Sequence, residues 1–255
     1  VIENFNHQLK NSNEYKKWSH INGVKKYKDI KSLFDLPFFP NSIFKYHNLS
    51  STKKIFKIIN SSGTTSQLKS KINLDDHNSK RQTLILSKIL SELLGKKRKP
   101  FIIVDKNPLD VKDNFELSAR YAGLSGYLLA ASTKNYLIKG ANDNSFFETS
   151  DVRKMIKFYK SRNERIVIIG YTYLIYDKLL SFLKNNSDIL DFPSDTILIH
   201  FGGWKKLKDR SISKNKLNSL IKKYLNIKEK NIIDIYGFSE QLGTIYPSRG
   251  NEGCR

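Results

Sequence analysis

The sequence predicts an α/β fold, with layered sheets flanked by helices and a main sheet that is largely parallel. Short apolar segments alternate along the chain with amphipathic segments of helical periodicity, each about 10–15 residues long, which is typical of successive βαβ units. No internal repeat, heptad pattern or long low-complexity linker interrupts this alternation. The chain has 255 residues, of which 39% are hydrophobic. It is therefore long and apolar enough for one large domain or two small ones.

The first third of the chain predicts two helices, two strands and an ordered connection. Apolar residues at positions 2–18 have helical spacing. The segment FDLPFFPNSIF (34–44) contains prolines among aromatic residues, which indicates an ordered, extended segment and not a flexible linker. The strands are predicted at KKIFKIIN (53–60) and LKSKINL (68–74). Asp75 or Asp76 would cap the long helix that follows, and Gly95 would end it.

The remaining two thirds alternate strands with helices. Strands are predicted at PFIIVD (100–105), RIVIIG (165–170), DTILIHFGG (195–203) and NIIDIYGFSE (231–240). Helices are predicted at NFELSARYAG (114–123), DVRKMIKFYKSR (151–162), YLIYDKLLSFLKNN (173–186) and NKLNSLIKKYLN (215–226). Thr149 or Ser150 would cap the second of these helices. The segment YLLAAS (127–132) fits either kind of element.

The balance of basic and acidic residues limits the kinds of partner that the protein is expected to bind. The formal net charge is +21, from 45 basic and 24 acidic residues. The lysines are scattered from Lys10 to Lys230, and exposed charges more than about 8–10 Å apart are largely screened at physiological salt. The abundance of Lys, Asn and Ile also resembles a general compositional bias. We infer a weak attraction for polyanions, including nucleotides, and do not expect nucleic acid to be the partner.

The cysteine content and the apolar segments indicate the compartment. Cys254 is the single cysteine, which excludes an internal disulfide framework and favours a reducing environment. The N-terminal segment has no apolar core of a signal peptide. The longest apolar stretch, IVIIGYTYLIY (166–176), is too short to span a bilayer. We expect a soluble, cytoplasmic protein without a membrane span.

Three unusual turns follow three predicted strands: SSGTTS (61–66), GGWKK (202–206) and YGFSEQ (236–241). In an open α/β sheet, ligands bind beyond the carboxyl ends of the strands. The three turns could therefore converge on one site.

The first turn has the chemistry of a phosphate site. Its members with hydroxyl groups are Ser61, Ser62, Thr64, Thr65 and Ser66. Gly63 allows backbone amides to approach a ligand closely, and Lys69 is a nearby positive partner. The spacing is not that of a Walker loop, and an exposed polar turn is the alternative.

The other two turns suit a nucleotide but each has a structural alternative. Glu240, beside Ser239, could hold Mg²⁺ that bridges phosphate groups, or the pair could begin a helix with Ser239 as its cap. Tyr236 could lay its ring against a flat base. In the middle turn the two glycines could line a planar ligand with Trp204 as a wall, or form a tight turn with a core tryptophan. His200 is a packed strand residue and not a catalytic base on this interpretation.

Taken together, the segments LPFFPNSIFK, SSGTTSQLKSKI, HFGGWKKL and YGFSEQLGTIYP resemble the LuxE-type acyl-protein synthetase family, within the adenylate-forming enzyme superfamily. The resemblance covers about residues 30–250. It implies that residues 1–255 form the large N-terminal domain of the adenylate-forming fold, with the small C-terminal domain absent. Two departures from the superfamily loop are Ser66 in place of glycine and Gln-Leu before Lys69.

The resemblance also implies roles for individual residues. Ser61, Ser62, Gly63, Thr64, Thr65 and Ser66 would cradle the phosphates of ATP, with Ser239 as a further phosphate contact. Lys69 and Glu240 would be catalytic, and Glu240 would bind Mg²⁺. Gly202, Gly203, Trp204, Tyr236 and Gly237 would line the adenine and acyl side. Residues 121–132 are apolar enough to line an acyl pocket but equally suit a packed helix.

The implied reaction activates a carboxylic acid, such as a fatty acid, as an acyl-adenylate and transfers the acyl group to a thiol. The acceptor would be a protein, or alternatively a carrier protein or coenzyme A. From another class, the chain could be a basic nucleic-acid-binding module. A third alternative is a domain that binds nucleotide without chemistry. Cys254 is not counted among the acceptors.

Overall fold

A computed structural model describes residues 1–60, 68–110, 115–140, 147–237 and 239–250 of the chain. The chain forms two compact units. The first, the N-terminal unit, comprises Val1–Thr83 and Phe238–Gly243. The second, the sheet unit, comprises Leu84–Gly237 and Thr244–Arg255.

The N-terminal unit begins with two helices where the sequence predicted one. α1 spans Ile2–Asn11 and α2 spans Asn13–Ile21. Ser12 separates them because its backbone is extended (φ −127°, ψ 109°) and its hydroxyl oxygen accepts a hydrogen bond from the Tyr15 amide at 3.3 Å. This is the geometry of a helix N-cap, so the second helix starts afresh.

The predicted extended segment at 34–44 is only partly extended. It begins inside a 3₁₀ turn, Leu33–Asp35, and ends inside the short helix α3, Ile43–Tyr46. The two predicted strands are confirmed as β1 (Lys57–Asn60) and β2 (Lys71–Leu74), which pair antiparallel as a two-stranded sheet. The helix α4, Asp76–Leu94, follows with Asp75 as its cap, since the Asp75 carboxylate accepts from the Asn78 amide at 2.7 Å.

The sheet unit is built on six strands in the order β4-β3-β5-β6-β7-β8. The strands are β3 (Lys99–Lys106), β4 (Ala131–Ile138), β5 (Val167–Tyr171), β6 (Ile197–Phe201), β7 (Ile232–Tyr236) and β8 (Tyr246–Arg249). The first five are parallel, which confirms the predicted fold class. β8 pairs antiparallel with β7 and was not predicted, because four residues that include a proline carry a weak strand signal.

The helices of this unit connect the parallel strands. They are α5 (Phe115–Ser125), α6 (Thr149–Ser161), α7 (Thr172–Leu174), α8 (Ser181–Asn185) and α9 (Lys214–Leu225). The ambiguous segment 127–132 divides into a 3₁₀ turn, Tyr127–Ala130, and the start of β4. The predicted cap of α6 is wrong. The helix already includes Thr149, and Glu148, with extended backbone, occupies the cap position without a side-chain hydrogen bond that caps the helix.

The strands at the centre of the sheet carry the core. All residues of β5 and β6 are buried, which is typical of parallel strands covered by helices on both faces. At the end of β3, the buried Asp105 carboxylate accepts two hydrogen bonds from Arg120 of α5, at 2.8 and 2.9 Å. Of the helices that the structure describes, none is long and apolar enough to cross a membrane.

The helix after β5 changes its winding. Between α7 and α8, residues Ile175–Leu180 form a π-helical segment. A π-helical turn holds an extra residue, so the side chains that follow point in a different direction from those of an unbroken α-helix. In this segment Asp177 pairs with Arg210 at 2.6 Å, which links the helix to the 3₁₀ turn Lys205–Arg210 after β6.

Gly123 of α5 makes a testable packing contact. A Cβ atom at this position would lie 2.3 Å from the Tyr171 hydroxyl oxygen. That hydroxyl donates a hydrogen bond to the Arg120 carbonyl at 3.2 Å, and Tyr171 is buried. Gly123→Ala is therefore expected to lower the free energy of unfolding by about 1–3 kcal/mol, because the packed ring must move. Urea denaturation measures the loss.

The sign of the stability change shows whether the clash with Tyr171 or the helix propensity of alanine dominates. Helix propensity alone would make Gly123→Ala stabilising by about 1 kcal/mol. If the clash dominates, the added change Tyr171→Phe, which removes the obstructing oxygen, recovers most of the lost stability. Ser125→Ala, at an exposed position of the same helix, is the control and should have little effect. An unchanged or raised stability of Gly123→Ala would contradict the contact.

Candidate functional site

The candidate site lies at the carboxyl edge of the parallel sheet. Tyr171, the last residue of β5, is paired in register with Phe201, the last residue of β6. Phe201 is in turn paired with Ile235 of β7. The segments that begin at Thr172, Gly202 and Tyr236 therefore leave neighbouring strands at the same edge. The topology places ligand sites of α/β proteins at this edge.

The turn after β6 depends on two glycines in the left-handed region. Gly202 has φ +79° and Gly203 has φ +59°. A Cβ at Gly203 would meet no atom within 4 Å, so the backbone conformation, and not crowding, requires glycine there. Both residues are exposed. Their backbone is therefore accessible to a flat ligand at close range.

Trp204 is held at the side of this turn by an aromatic contact. Its ring is half-buried and packs edge-on against Tyr176, with 5.1 Å between ring centroids and an interplanar angle of 73°. Tyr176 belongs to the π-helical segment after β5. The ion pair between Asp177 and Arg210 joins the same two elements. The altered winding of the helix thus supports the tryptophan turn.

Tyr236 and Gly237 form the neighbouring turn, at the end of β7. The Tyr236 side chain is 61% exposed, and its ring centroid lies 6.5 Å from that of Tyr246 on β8. Gly237 is exposed, but a Cβ there would lie 3.2 Å from Cγ2 of Ile245, so a larger residue would crowd that side chain. Tyr236 and Gly202 directly follow the paired residues Ile235 and Phe201, so the exposed tyrosine leaves the sheet beside the glycine turn.

A buried polar network lies directly beneath the glycine turn. Thr172 Oγ1 is 3.2 Å from the Phe201 carbonyl oxygen, to which it donates, and 3.0 Å from His200 Nδ1. Burial lowers the pKa of His200, and Lys214 lowers it further, while the Asp234 carboxylate opposes the shift. The imidazole is therefore neutral. His200 is a packed residue, as predicted, and its Nε2 has no hydrogen-bond partner among the described residues.

An aromatic cluster fixes the side chain of Phe201. Its ring stacks on Tyr127 with 5.0 Å between centroids and 16° between planes, and it lies 4.7 Å from the ring of Tyr171. Burial raises the pKa of the Tyr127 and Tyr171 hydroxyls, so both remain neutral. Tyr127 belongs to the segment 121–132 that the sequence offered as an acyl-pocket lining or a packed element. The structure places it in the core of the sheet unit.

Both predicted catalytic residues belong to the N-terminal unit. Lys69 is half-buried, just before β2. Glu240 is half-buried on a 3₁₀ turn, Ser239–Gln241. Two residues after this turn, Gly243 has a positive φ of +85°, and a Cβ there would lie 2.3 Å from the Gln82 carbonyl oxygen of α4.

The structure thus brings some of the predicted site residues to one edge of the sheet, whereas others lie outside the described residues. Gly202, Gly203 and Trp204 share an edge of the sheet with Tyr236 and Gly237. The phosphate residues Ser61, Ser62, Gly63, Thr64, Thr65 and Ser66 lie outside the described residues. The binding role of each of these residues stays a prediction.

The sequence interpretation missed Thr172 and Tyr171. Thr172 and Tyr171 lie where β5 meets its helix, in a segment that reads simply as strand and helix. The available signal was their position along the chain, because residues that directly follow a central parallel strand lie near the carboxyl edge of the sheet, where ligands bind. Within the described residues, no group of three or more His, Cys, Asp or Glu side chains is arranged to hold a metal.

Comparison with solved structures finds several similar folds of low sequence identity. The adenylation domain of a keto acid-selecting NRPS module bound to keto acyl adenylate is 13% identical, and the match covers 77% of this chain and 32% of that one (TM-score 0.43). ATP-bound MatB from Rhodopseudomonas palustris is 11% identical, with 77% and 31% covered (TM-score 0.42). McyG A-PCP complexed with phenylalanyl-adenylate is 14% identical, with 96% and 39% covered (TM-score 0.44). The chain spans 31–39% of the length of these three structures.

No curated protein matches the sequence. The family of acyl-protein synthetases named LuxE does match, over residues 1–253, a range that includes all three turns. The chain therefore belongs to the LuxE acyl-protein synthetase family.

Proposed function

We propose that the protein is an ATP-dependent ligase that activates a carboxylic acid as an acyl-adenylate and then passes the acyl group to a thiol. The observation that carries the proposal is the pair of turns at one sheet edge, Gly202–Trp204 and Tyr236–Gly237, in a chain of the acyl-protein synthetase family. An accessible glycine backbone beside an exposed tyrosine ring suits a flat, apolar-faced group with polar edges. Adenine is such a group.

The two turns would divide the recognition of adenine. The ring of Tyr236 offers a π-face for stacking, a contact worth about 1–3 kcal/mol per base in other proteins. The backbone of Gly202 and Gly203 can approach the edge of the base because no Cβ intervenes. Trp204, held by Tyr176, would limit the pocket on its acyl side.

The chemical step needs no side-chain nucleophile. A carboxylate oxygen of the substrate forms a bond to the α-phosphorus of ATP, the bond from that phosphorus to the bridging oxygen breaks, and pyrophosphate leaves with the electron pair. The hydroxyls of residues 61–66 and 239, together with Lys69, would donate to the phosphate oxygens. Fixed donors of this kind stabilise the charge that develops in the transition state.

Glu240 is the residue that would hold Mg²⁺. This ion is commonly bound through one or two carboxylates with substrate phosphates and waters completing its shell, so a single half-buried glutamate fits it. Bound there, Mg²⁺ would neutralise charge on the departing pyrophosphate.

The second step transfers the acyl group from the adenylate to a thiolate, with release of AMP. The family description favours a protein thiol as acceptor, with a carrier protein or coenzyme A as the alternative. A fatty acid is the substrate class that we favour. We place the reaction in the cytoplasm, since ATP and free thiols are available there.

The direct test is carboxylate-dependent ATP–pyrophosphate exchange across a panel of aliphatic, hydroxylated and aromatic acids. Exchange with at least one acid is expected, and Tyr236→Ala should raise the KM for ATP roughly tenfold through the loss of stacking. Tyr46→Ala removes a similarly exposed tyrosine from the N-terminal unit and is the control. No exchange with any acid, together with tight and salt-sensitive binding to DNA, would contradict the proposal and favour a nucleic-acid-binding module.

A further inference from the structure

The glycine turn after β6 needs a source of rigidity that its own residues do not supply. Gly202 and Gly203 both have positive φ, and glycine has the greatest backbone freedom of any residue. A turn that binds a ligand through its backbone gains from being held in the bound conformation beforehand. The contacts that hold it must therefore come from the residues around it.

The contacts converge on Phe201, the residue that precedes the turn. Its ring is fixed by Tyr127 and Tyr171. Its carbonyl oxygen accepts a hydrogen bond from Thr172 Oγ1 at 3.2 Å. The aromatic contacts fix the side chain, whereas the threonine hydroxyl fixes the plane of the peptide bond that leads into Gly202. The orientation of that peptide plane sets the direction in which the turn begins.

The proton on His200 and the direction of the threonine hydroxyl depend on each other. The Thr172 hydroxyl has one proton, which it donates to the Phe201 carbonyl. The contact of 3.0 Å between Thr172 Oγ1 and His200 Nδ1 therefore requires the imidazole to be the donor. The Asp234 carboxylate oxygen lies 3.6 Å from the same Nδ1 and also favours a proton there. Both neighbours thus select the Nδ1–H tautomer of a neutral imidazole.

We propose that Thr172 and His200 are positioning residues, which lock the peptide plane of Phe201 and so hold the Gly202–Gly203 turn in the conformation that receives the substrate nucleotide. The chain of contacts runs from Asp234 through His200 and Thr172 to the Phe201 carbonyl. All four residues lie on three adjacent parallel strands or directly after one. Neither Thr172 nor His200 contacts substrate on this proposal, because both are buried. The role in catalysis rests on the proposed function, while the rigidity of the turn does not.

The tautomer is measurable in the unmodified protein. ¹⁵N NMR distinguishes a protonated Nδ1 from a protonated Nε2, and His200 is identified by the signal that His200→Gln removes. The other four histidines are exposed, so their exchange-averaged signals separate from it. A proton on Nδ1 and a bare Nε2 are expected. A proton on Nε2 would overturn the proposed direction of the hydrogen bonds.

The rigidity of the turn is tested by Thr172→Val, which keeps the shape of the side chain and removes its hydroxyl. Backbone order parameters at Gly202 and Gly203 should fall from about 0.85 toward 0.6 in this variant and return in Thr172→Ser. Ser219→Ala, which removes a hydroxyl-to-carbonyl bond on α9, is the matched control and should leave the turn unchanged. Equal order parameters in wild type and Thr172→Val would overturn the proposal.

Steady-state exchange kinetics then connect the turn to function. Thr172→Val should raise the KM for ATP by about tenfold with a smaller change in kcat, because nucleotide binding and not the chemical step depends on the turn. Thr172→Ser should restore it. If the wild type supports no exchange with any acid, yet Thr172→Val still loosens the turn, the positioning contacts are supported and the proposed function is contradicted. A fall in kcat alone, with KM unchanged, would contradict the positioning role.

Discussion

Glu240→Gln is expected to reduce carboxylate-dependent ATP–pyrophosphate exchange by at least about a hundredfold, with little change in stability. The amide has nearly the same size as the carboxylate but no charge, so it would not hold Mg²⁺ beside the phosphates. Glu240 is half-buried on a surface turn, which explains why folding should tolerate the change. Exchange is measured at saturating acid over a range of Mg²⁺ concentrations, and stability by thermal unfolding.

The control for this prediction is Glu92→Gln. Glu92 is an exposed residue of α4, and its replacement removes the same charge far along the chain from the turn. It should leave exchange unchanged. Retention of full activity by Glu240→Gln at low Mg²⁺ would exclude this residue as the metal ligand, while the rest of the adenylation proposal would still be tested by the acid panel.

Arg120→Met is expected to lower the free energy of unfolding of the sheet unit by about 3–5 kcal/mol. It leaves the carboxylate of Asp105, which is 2% exposed, without the guanidinium that donates to both of its oxygens. The amide of Lys106 still donates to Asp105 at 2.8 Å, but one neutral donor does not replace a bidentate cation. The loss is comparable to much of the stability of a typical domain.

The chain has two tryptophans, Trp18 in the N-terminal unit and Trp204 in the sheet unit. In a Trp18→Phe background, the fluorescence of Trp204 during urea unfolding therefore measures the loss for the sheet unit alone. Arg162→Met is the control, since Arg162 pairs with Glu164 on the surface, where such pairs are worth about 0–1 kcal/mol. The double change Arg120→Met with Asp105→Asn should cost less than Arg120→Met alone. An equal cost for the Arg120 and Arg162 variants would show that the buried pair does not stabilise the sheet.

Much of the fold was predictable because its signals are local. Period-two and period-3.6 apolar patterns located every parallel strand but β4, and strand–helix alternation indicated a parallel sheet. Errors arose where a single contact overrides the pattern. Ser12 divides a continuous apolar periodicity into two helices, and Glu148 takes a cap position that Thr149 or Ser150 suited equally well. The short strand β8 exists because β7 offers an edge to pair with, which no local pattern records.

The sequence by itself determined the class of fold, the family, and the types of residue at three strand ends, because each of these depends on residue identity and spacing along the chain. Only the tertiary structure decided which side chains meet. Thr172 reaches His200 across 28 residues, Tyr171 reaches the backbone of Arg120 across 51, and Arg120 reaches Asp105 across 15. Periodicity encodes which positions are buried, but pairing within the core depends on strand order, register and crossover, which are set by the packing of the whole sheet.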